Sequence, residues 1–284
     1  MLAELFLDAH CALGEGPVWD EREGTLYWVD ITRCQVHARQ IKTGMHRVWM
    51  LGQCVGAMAL REQGGFVAAL TTGFYHYGAD GAFVAAARPD PLSARVRFND
   101  GKCDPKGRFI AGTMNLFPGE RNLGTLFCLD VDGSVQAMLT GVTCSNGLAF
   151  SADARTMYYI DTGDRCVRAF AYDEATGALG ASRVAVTFSG NDGFPDGMAI
   201  DNEGMLWIAH WGGGCVGRYD PRDGSQLARV DVPVRYTTSC CFGGPDMRTL
   251  YITSATEDDD APHAGGVFYA DVGVQGPKGA RFAG

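Results

Sequence analysis

The stretch GEGPVWDEREGTLYWVD, residues 14–30, opens on small and acidic residues. It runs through a short apolar strand to a charged turn and leaves on a strand rich in aromatic and β-branched residues. Five later stretches repeat that order: VGAMALREQGGFVAAL from Val55, FNDGKCDPKGRFIAGT from Phe98, SNGLAFSADARTMYYID from Ser145, PDGMAIDNEGMLWIAH from Pro195 and TSCCFGGPDMRTLYITS from Thr238. Aligned on the apolar residue after the turn, they put Leu26, Phe66, Phe109, Met157, Leu206 and Leu250 in register, at steps of 40, 43, 48, 49 and 44 residues. Ten or eleven residues before that position stand Glu15, Asn99, Asn146 and Asp196, in repeats one, three, four and five. A repeat array puts equivalent residues in equivalent places. If the array closes into a ring, these four side chains meet on its axis.

Runs such as TLYWVDI, RFIAGTM, TMYYID, LWIAHW and TLYITSA have strand composition, and turn signals (DEREG, EQGG, DPKG, SADA, DNEG, GPDM) separate them. A second pair of strands with hairpin-type turns (KTG, ADG, VDG, EATG, PRDG) follows in most repeats. Four short antiparallel strands per 40–50 residues make a propeller blade. The chain is therefore expected to be all-β: a six-bladed β-propeller with four antiparallel strands per blade, forming one domain over residues 1–284. LAELFLDA, ahead of the first repeat, is then a spare strand that completes the last blade near GGVFYADV and ties the ring shut. The competing architecture is a β-sandwich of hairpins that does not close.

Lys and Arg number 24 against 33 Asp and Glu, a net charge of −9. That balance argues against nucleic-acid and anionic-membrane partners. The ten cysteines are scattered without a CxxC pair or a Cys/His cluster, which excludes a zinc knuckle or thioredoxin-like motif. The N-terminus MLAELFLDAHC lacks the basic and apolar regions of a secretory signal, and no apolar run is long enough to span a membrane. A reducing, cytoplasmic location is expected. The oligomeric state is open, with a monomer as the expectation.

In a propeller the first strand of each blade lies nearest the axis, and the loop leading into it opens at one mouth of the channel. Glu15, Asn99, Asn146 and Asp196 occupy that position; in repeats two and six it holds Val55/Gly56 and Ser239/Cys240. Two carboxylates and two amides make an all-oxygen donor set suited to Ca²⁺, Mg²⁺ or Mn²⁺, with Zn²⁺ and Fe²⁺ admissible. The plain alternative is that NDG, SNG and PDG are ordinary turns. The shared register across blades favours the ligand reading.

The motifs LGEGPVWD, RFNDGKCDPKGRFIAGTM, SNGLAFS, PDGMAIDNEGMLWIA and SCCFGG, in this order, resemble the senescence-marker-protein-30/gluconolactonase/luciferin-regenerating-enzyme-like family over essentially the whole chain. The resemblance implies one divalent metal ion in the channel and hydrolysis of a sugar lactone, an aldonolactone such as gluconolactone or a pentonolactone. By position it implies Glu15, Asn146 and Asp196 as metal ligands, Asp196 also as general base, and Arg97 and Asn99 as substrate contacts. One departure stands out. In some members a glutamate soon after the GTM motif contacts substrate. The matching slot here is Phe117, so the preferred sugar is open, with Glu120 as an alternative contact.

Such a site would polarise the lactone carbonyl, and a carboxylate would take a proton from the attacking water. Whether Asp196 or a water held on the cation does so is left open. Two other functions fit the residues: a metal-dependent esterase or phosphotriesterase, and a binding propeller whose metal is structural. Among weaker candidates, His210 is read as the end of a first strand near the far mouth and as a core histidine. Gly212, Gly213 and Gly214 are read as a tight turn, Glu257–Asp260 as a solvated loop, and Lys102 and Asp104 as braces for the blade. No G-x-S-x-G elbow is present, which counts against a serine esterase.

Overall fold

A computed structural model describes all residues, 1–284. Twenty-four strands form six four-stranded antiparallel sheets arranged as a propeller. The innermost strands, one per blade, are Gly14–Asp20, Val55–Leu60, Val96–Cys103, Ser145–Phe150, Phe194–Ile200 and Thr237–Gly243. These six contact one another around the axis in ring order. The repeat and its register are those expected from the sequence.

The packing explains the repeated pattern of apolar residues. Between blades one and two, Val29, Ile31 and Val36 meet Val55, Met58, Leu60 and Phe66; between blades two and three, Ala57, Val67 and Phe74 meet Phe98, Phe109 and Phe127. The anchor residues Leu26, Phe109, Met157, Leu206 and Leu250 are completely buried and Phe66 nearly so. Each sheet is thus apolar on both faces where neighbouring blades cover it, which is why its strands read as near-continuous hydrophobic runs.

The ring closes as the spare strand suggested. Glu4–Leu7 pairs antiparallel with Val267–Asp271, matching Glu4 to Tyr269 and Leu5 to Phe268, and completes blade six. Phe6 packs edge-on against Tyr251 at 5.2 Å. Inside the ring, the Thr238 hydroxyl donates to the Gly14 carbonyl at 2.6 Å, joining the inner strands of blades six and one.

The C-terminal segment runs across the face away from the inner-strand N-termini. Gly276 N donates to Met247 O, the Arg281 guanidinium is buried against Asp20 and Glu21, and Phe282 is buried between blades two and three. Between these anchors, residues 277–280 help wall an axial cavity of about 460 Å³, which the inner strands of all six blades line. No helix is long and apolar enough to cross a membrane.

Removing residues 1–9 leaves Val267–Asp271 as a bare sheet edge and strips Phe6 from Tyr251. The truncated protein is expected to lose stability, by about 2 kcal/mol for the partly buried Phe6 alone, and to self-associate. Thermal melts and light scattering against the full chain check this; an unchanged melting temperature would contradict ring closure by this strand.

Candidate functional site

Every innermost strand carries a β-bulge at its N-terminal end. The register slips between Glu15 and Val18, Val55 and Ala57, Phe98 and Asp100, Asn146 and Leu148, Pro195 and Met198, and Thr237 and Ser239. A bulge adds one residue to one strand of a pair and re-aims the side chains beside it. The polar residues Glu15, Asn99, Asn146 and Asp196 sit at four of these slips. NDG, SNG and PDG are therefore bulged strand segments rather than turns.

The glycines of SNG and PDG serve close approach between blades. A Cβ on Gly147 would stand 2.7 Å from Met198 Cβ and 2.8 Å from Asp196 O, both in the next blade; one on Gly197 would stand 2.0 Å from Ser239 Oγ. Adjacent inner strands touch backbone to side chain there, so the ligand-type residues converge.

Glu15, Asn99, Asn146 and Asp196 are all buried. The Asp196 carboxyl lies beside the Asn146 side chain and the Glu15 carboxyl. Asn99 Nδ2 donates to Ser145 O at 2.8 Å and lies 3.3 Å from Asn146 Oδ1. Arg97 Nη1 donates to Asn99 Oδ1 at 2.7 Å and to Phe98 O at 2.9 Å. Arg97, Asn99 and Asn146 thus share one hydrogen-bonded network, with the Glu15 and Asp196 carboxyls next to it.

Three further residues complete it. Asp100 is buried beside the two acids. The Thr162 hydroxyl accepts from Asn146 Nδ2 at 2.8 Å and donates to Pro195 O at 2.9 Å, which orients the Asn146 amide between blades four and five. Cys144 Sγ stands 3.8 Å from the Nδ2 atoms of both Asn99 and Asn146. Burial pushes its thiol up to about 12, so it lines the site as a neutral group.

The electrostatics are unbalanced. Burial raises the Glu15 pKa well above the usual carboxylate range, with Asp196 and Asp100 adding to it. Burial does the same to Asp196, with Asp100 as the main neighbouring charge. With their carboxylates ionised, Glu15, Asp196 and Asp100 outnumber the two cations beside them, Arg97 and Lys102, in a water-poor hub. A divalent cation neutralises that charge, and two carboxylates with an amide oxygen are the hard donors it needs. The residues fit such an ion. No three His, Cys, Asp or Glu side chains cluster for an ion anywhere in the molecule, the hub included, so the donor set rests on two carboxylates and an amide oxygen.

Several secondary readings resolve here. Glu120 is ion-paired with Arg95 and so does not turn toward the carboxylates, while Phe117 is 54% exposed on the same loop. His210 is in the second strand of blade five, Leu206–Trp211, and pairs with Pro195. It therefore stands at the site's end of the blade and not at the far mouth, because the blade's first strand begins earlier, at Phe194. Its ring is a core group, with Nδ1 2.7 Å from Asp192 O and Nε2 3.0 Å from the Tyr219 hydroxyl. Gly212–Gly214 form the turn to the next strand. Asp104 braces the blade through Arg108 and Tyr172, at 2.6 and 2.5 Å. Lys102 Nζ donates to Met198 O at 2.7 Å and links blade three to blade five.

Two measurements follow from this geometry. Adding a divalent cation at about a hundred times its Kd should raise stability by ~2.7 kcal/mol. Asp196→Asn should abolish that gain while melting no earlier than the parent in chelator, because a buried repulsion is gone. Differential scanning calorimetry with and without chelator reads both, and an Asn variant that keeps the full cation shift would remove Asp196 from the donor set. Separately, Gly147→Ala should lower the melting temperature and weaken cation binding together, since its Cβ displaces Asp196; a variant with both unchanged would refute the close-approach role.

The family model for the SMP-30/Gluconolactonase/LRE-like region matches residues 13–256. A regucalcin of Xenopus laevis is 43% identical, the match covering 96% of this chain and 95% of the relative. The pentonolactonase XacC of Haloferax volcanii is 39% identical, over 95% of this chain and 94% of the relative. A solved structure from Agrobacterium tumefaciens, described as the calcium-binding protein regucalcin, superposes with a TM-score of 0.93 at 30% identity, covering 99% of this chain and 97% of that one. With its six bulged inner strands and axial acids, the chain belongs to the SMP-30/gluconolactonase/LRE-like family.

Proposed function

We propose that the protein is a metal-dependent lactonase that opens a sugar lactone, an aldonolactone such as gluconolactone or a pentonolactone, to the free aldonic acid. The observation that carries this reading is the buried, closely grouped set Glu15, Asn146 and Asp196 beside Arg97. The pentonolactonase relative supports the substrate class. The six blades act as one domain over residues 1–284. Ten unbridged thiols support a reducing, cytoplasmic compartment.

Glu15, Asn146 and Asp196 hold the divalent ion, whose identity among Ca²⁺, Zn²⁺, Mn²⁺, Mg²⁺ and Fe²⁺ is for experiment to decide. The bound ion would polarise the ester carbonyl and stabilise the charge that grows on its oxygen.

The remaining work falls to the chain's own groups. Arg97 is fixed through one nitrogen by Asn99 Oδ1 and Phe98 O, which leaves the rest of its guanidinium to orient the lactone's ring oxygens and hydroxyls. Asn99 spends its amide on Ser145 O and its oxygen on Arg97, so it sets the angle of that cation. Asp196 accepts the proton of the attacking water. The new C–O bond forms as the ring ester bond breaks. The ring oxygen leaves with a proton as the hydroxyl of the open-chain acid, so lactone plus water gives one product.

The test is a pH-stat screen of chelator-stripped protein on a panel of aldonolactones, with an aryl ester and a phosphotriester for comparison and each cation restored in turn. Spontaneous opening is subtracted. A lactone and cation pair well above the blank is expected, with Asp196→Asn reduced by roughly 10²–10⁴-fold in a folded protein. No pair above the blank, or an Asn variant as active as the parent, would overturn the assignment.

A further inference from the structure

We propose that the axial cavity on the face away from the acids is a second ligand site, which takes an aryl carboxylate: an apolar ring body bearing one negative charge. It stands independently of the lactonase reading.

The cavity shares strands with the hub but not the hub's groups. The inner strands begin beside the acids, and their later residues line the cavity, among them Trp19, Met58, Phe150, Ile200 and Phe242. Glu15, Arg97, Asn99, Asn146 and Asp196 do not line it. Its volume of about 460 Å³ falls in the range of small-molecule pockets, and its mostly apolar walls suit a ring.

The charged groups among those walls set the polarity of the ligand. Asp100, Lys102, Asp201 and Lys278 line the cavity. Asp201 is committed within the protein, to Arg218 at 2.7 Å, to Trp207 Nε1 at 3.0 Å and to the backbone N–H groups of Glu203 and Met205. Lys102 gives one of its three N–H groups to Met198 O at 2.7 Å and neighbours Asp100. Lys278, exposed on the C-terminal segment, has no acid or carbonyl as partner. Two ammonium groups against one carboxylate not already paired leave the cavity short of one negative charge. A polyhydroxylated acid would lose water from its hydroxyls against apolar walls, whereas an aryl carboxylate has only its charged end to satisfy.

Entry is by way of the C-terminal segment. It is pinned at one end by Gly276 N to Met247 O and at the other by Phe282, which bonds to Leu60 and Glu62. Residues 277–280 between these pins make no backbone hydrogen bond and are all exposed. A Cβ on Gly279 would meet nothing within 4 Å. This stretch can lift from the cavity without breaking a bond, as segments of low local stability do.

The experiment is isothermal titration calorimetry of the chelator-treated full chain with naphthoate, with naphthalenemethanol as its neutral counterpart and with gluconate as a hydroxylated acid. Naphthoate should bind one per chain, the alcohol roughly tenfold more weakly, and gluconate should not compete. Lys278→Glu should weaken naphthoate by roughly tenfold, as reversal of a partly exposed charge contact. Because Lys278 is bonded to nothing, that variant should melt with the parent. Lys102→Met should weaken naphthoate as well; if that variant does not fold, Lys278→Glu still decides.

No naphthoate binding up to millimolar concentration overturns the site. Equal affinity for the alcohol overturns its charge preference, as does unchanged affinity in Lys278→Glu. Displacement of naphthoate by gluconate, or loss of its binding in Arg97→Ala, would seat the anion at the acids instead and overturn the assignment to this face.

Discussion

The hub is built on the close approach of neighbouring inner strands at their bulges. With no Cβ at Gly147 or Gly197, the strand of blade four meets that of blade five, and blade five meets blade six, at distances no larger residue allows. The bulges at the same level turn Glu15, Asn99, Asn146 and Asp196 away from a regular ladder. Blades carry the side chains, but these gaps set how near the chains come. The same spacing keeps water from the carboxylates, and their burial raises their affinity for protons.

Two opposed demands meet there. Packing six apolar-faced sheets favours a dry axis, whereas three acids, one guanidinium and one ammonium favour water or a counter-ion. Burial shifts Glu15 and Asp196 toward their protonated forms, and their neighbours add to it. Thr162, Asn99 and Arg97 use their hydrogen bonds to hold this strained charge in one arrangement. The fold therefore keeps an electrostatic deficit at its hub, and the apolar interfaces between blades supply the stability that offsets it.

Much of this was legible in the sequence because repetition multiplies weak signals. One NDG is a turn in most chains; three such motifs and a GEG at one register predicted a shared axis, and Glu15, Asn146 and Asp196 do meet there. The strand before the first repeat was visible for the same reason, as an unpaired apolar stretch. What stayed hidden lacked periodicity. Asp100 follows Asn99 directly, and only the bulge brings both into the hub; Thr162 lies past the end of a second strand, where nothing in TMYYIDT marks it as a partner of Asn146. Cys144 was one thiol among ten. His210 was misplaced by counting its strand as the first of its blade, since the preceding PDG segment read as a loop. Glu120 could not be assigned because a loop's side-chain directions depend on partners far along the chain, in this case on Arg95.

The strand at Glu4–Leu7 pairs with Val267–Asp271, far along the chain. That pairing closes a very long loop, an entropic penalty that grows only slowly with length. Blades can stack on one another in order, yet the circle stays open until this strand docks. The side chains of the first blade and those of the fourth and fifth are then held at fixed separation by one closure remote from the axis.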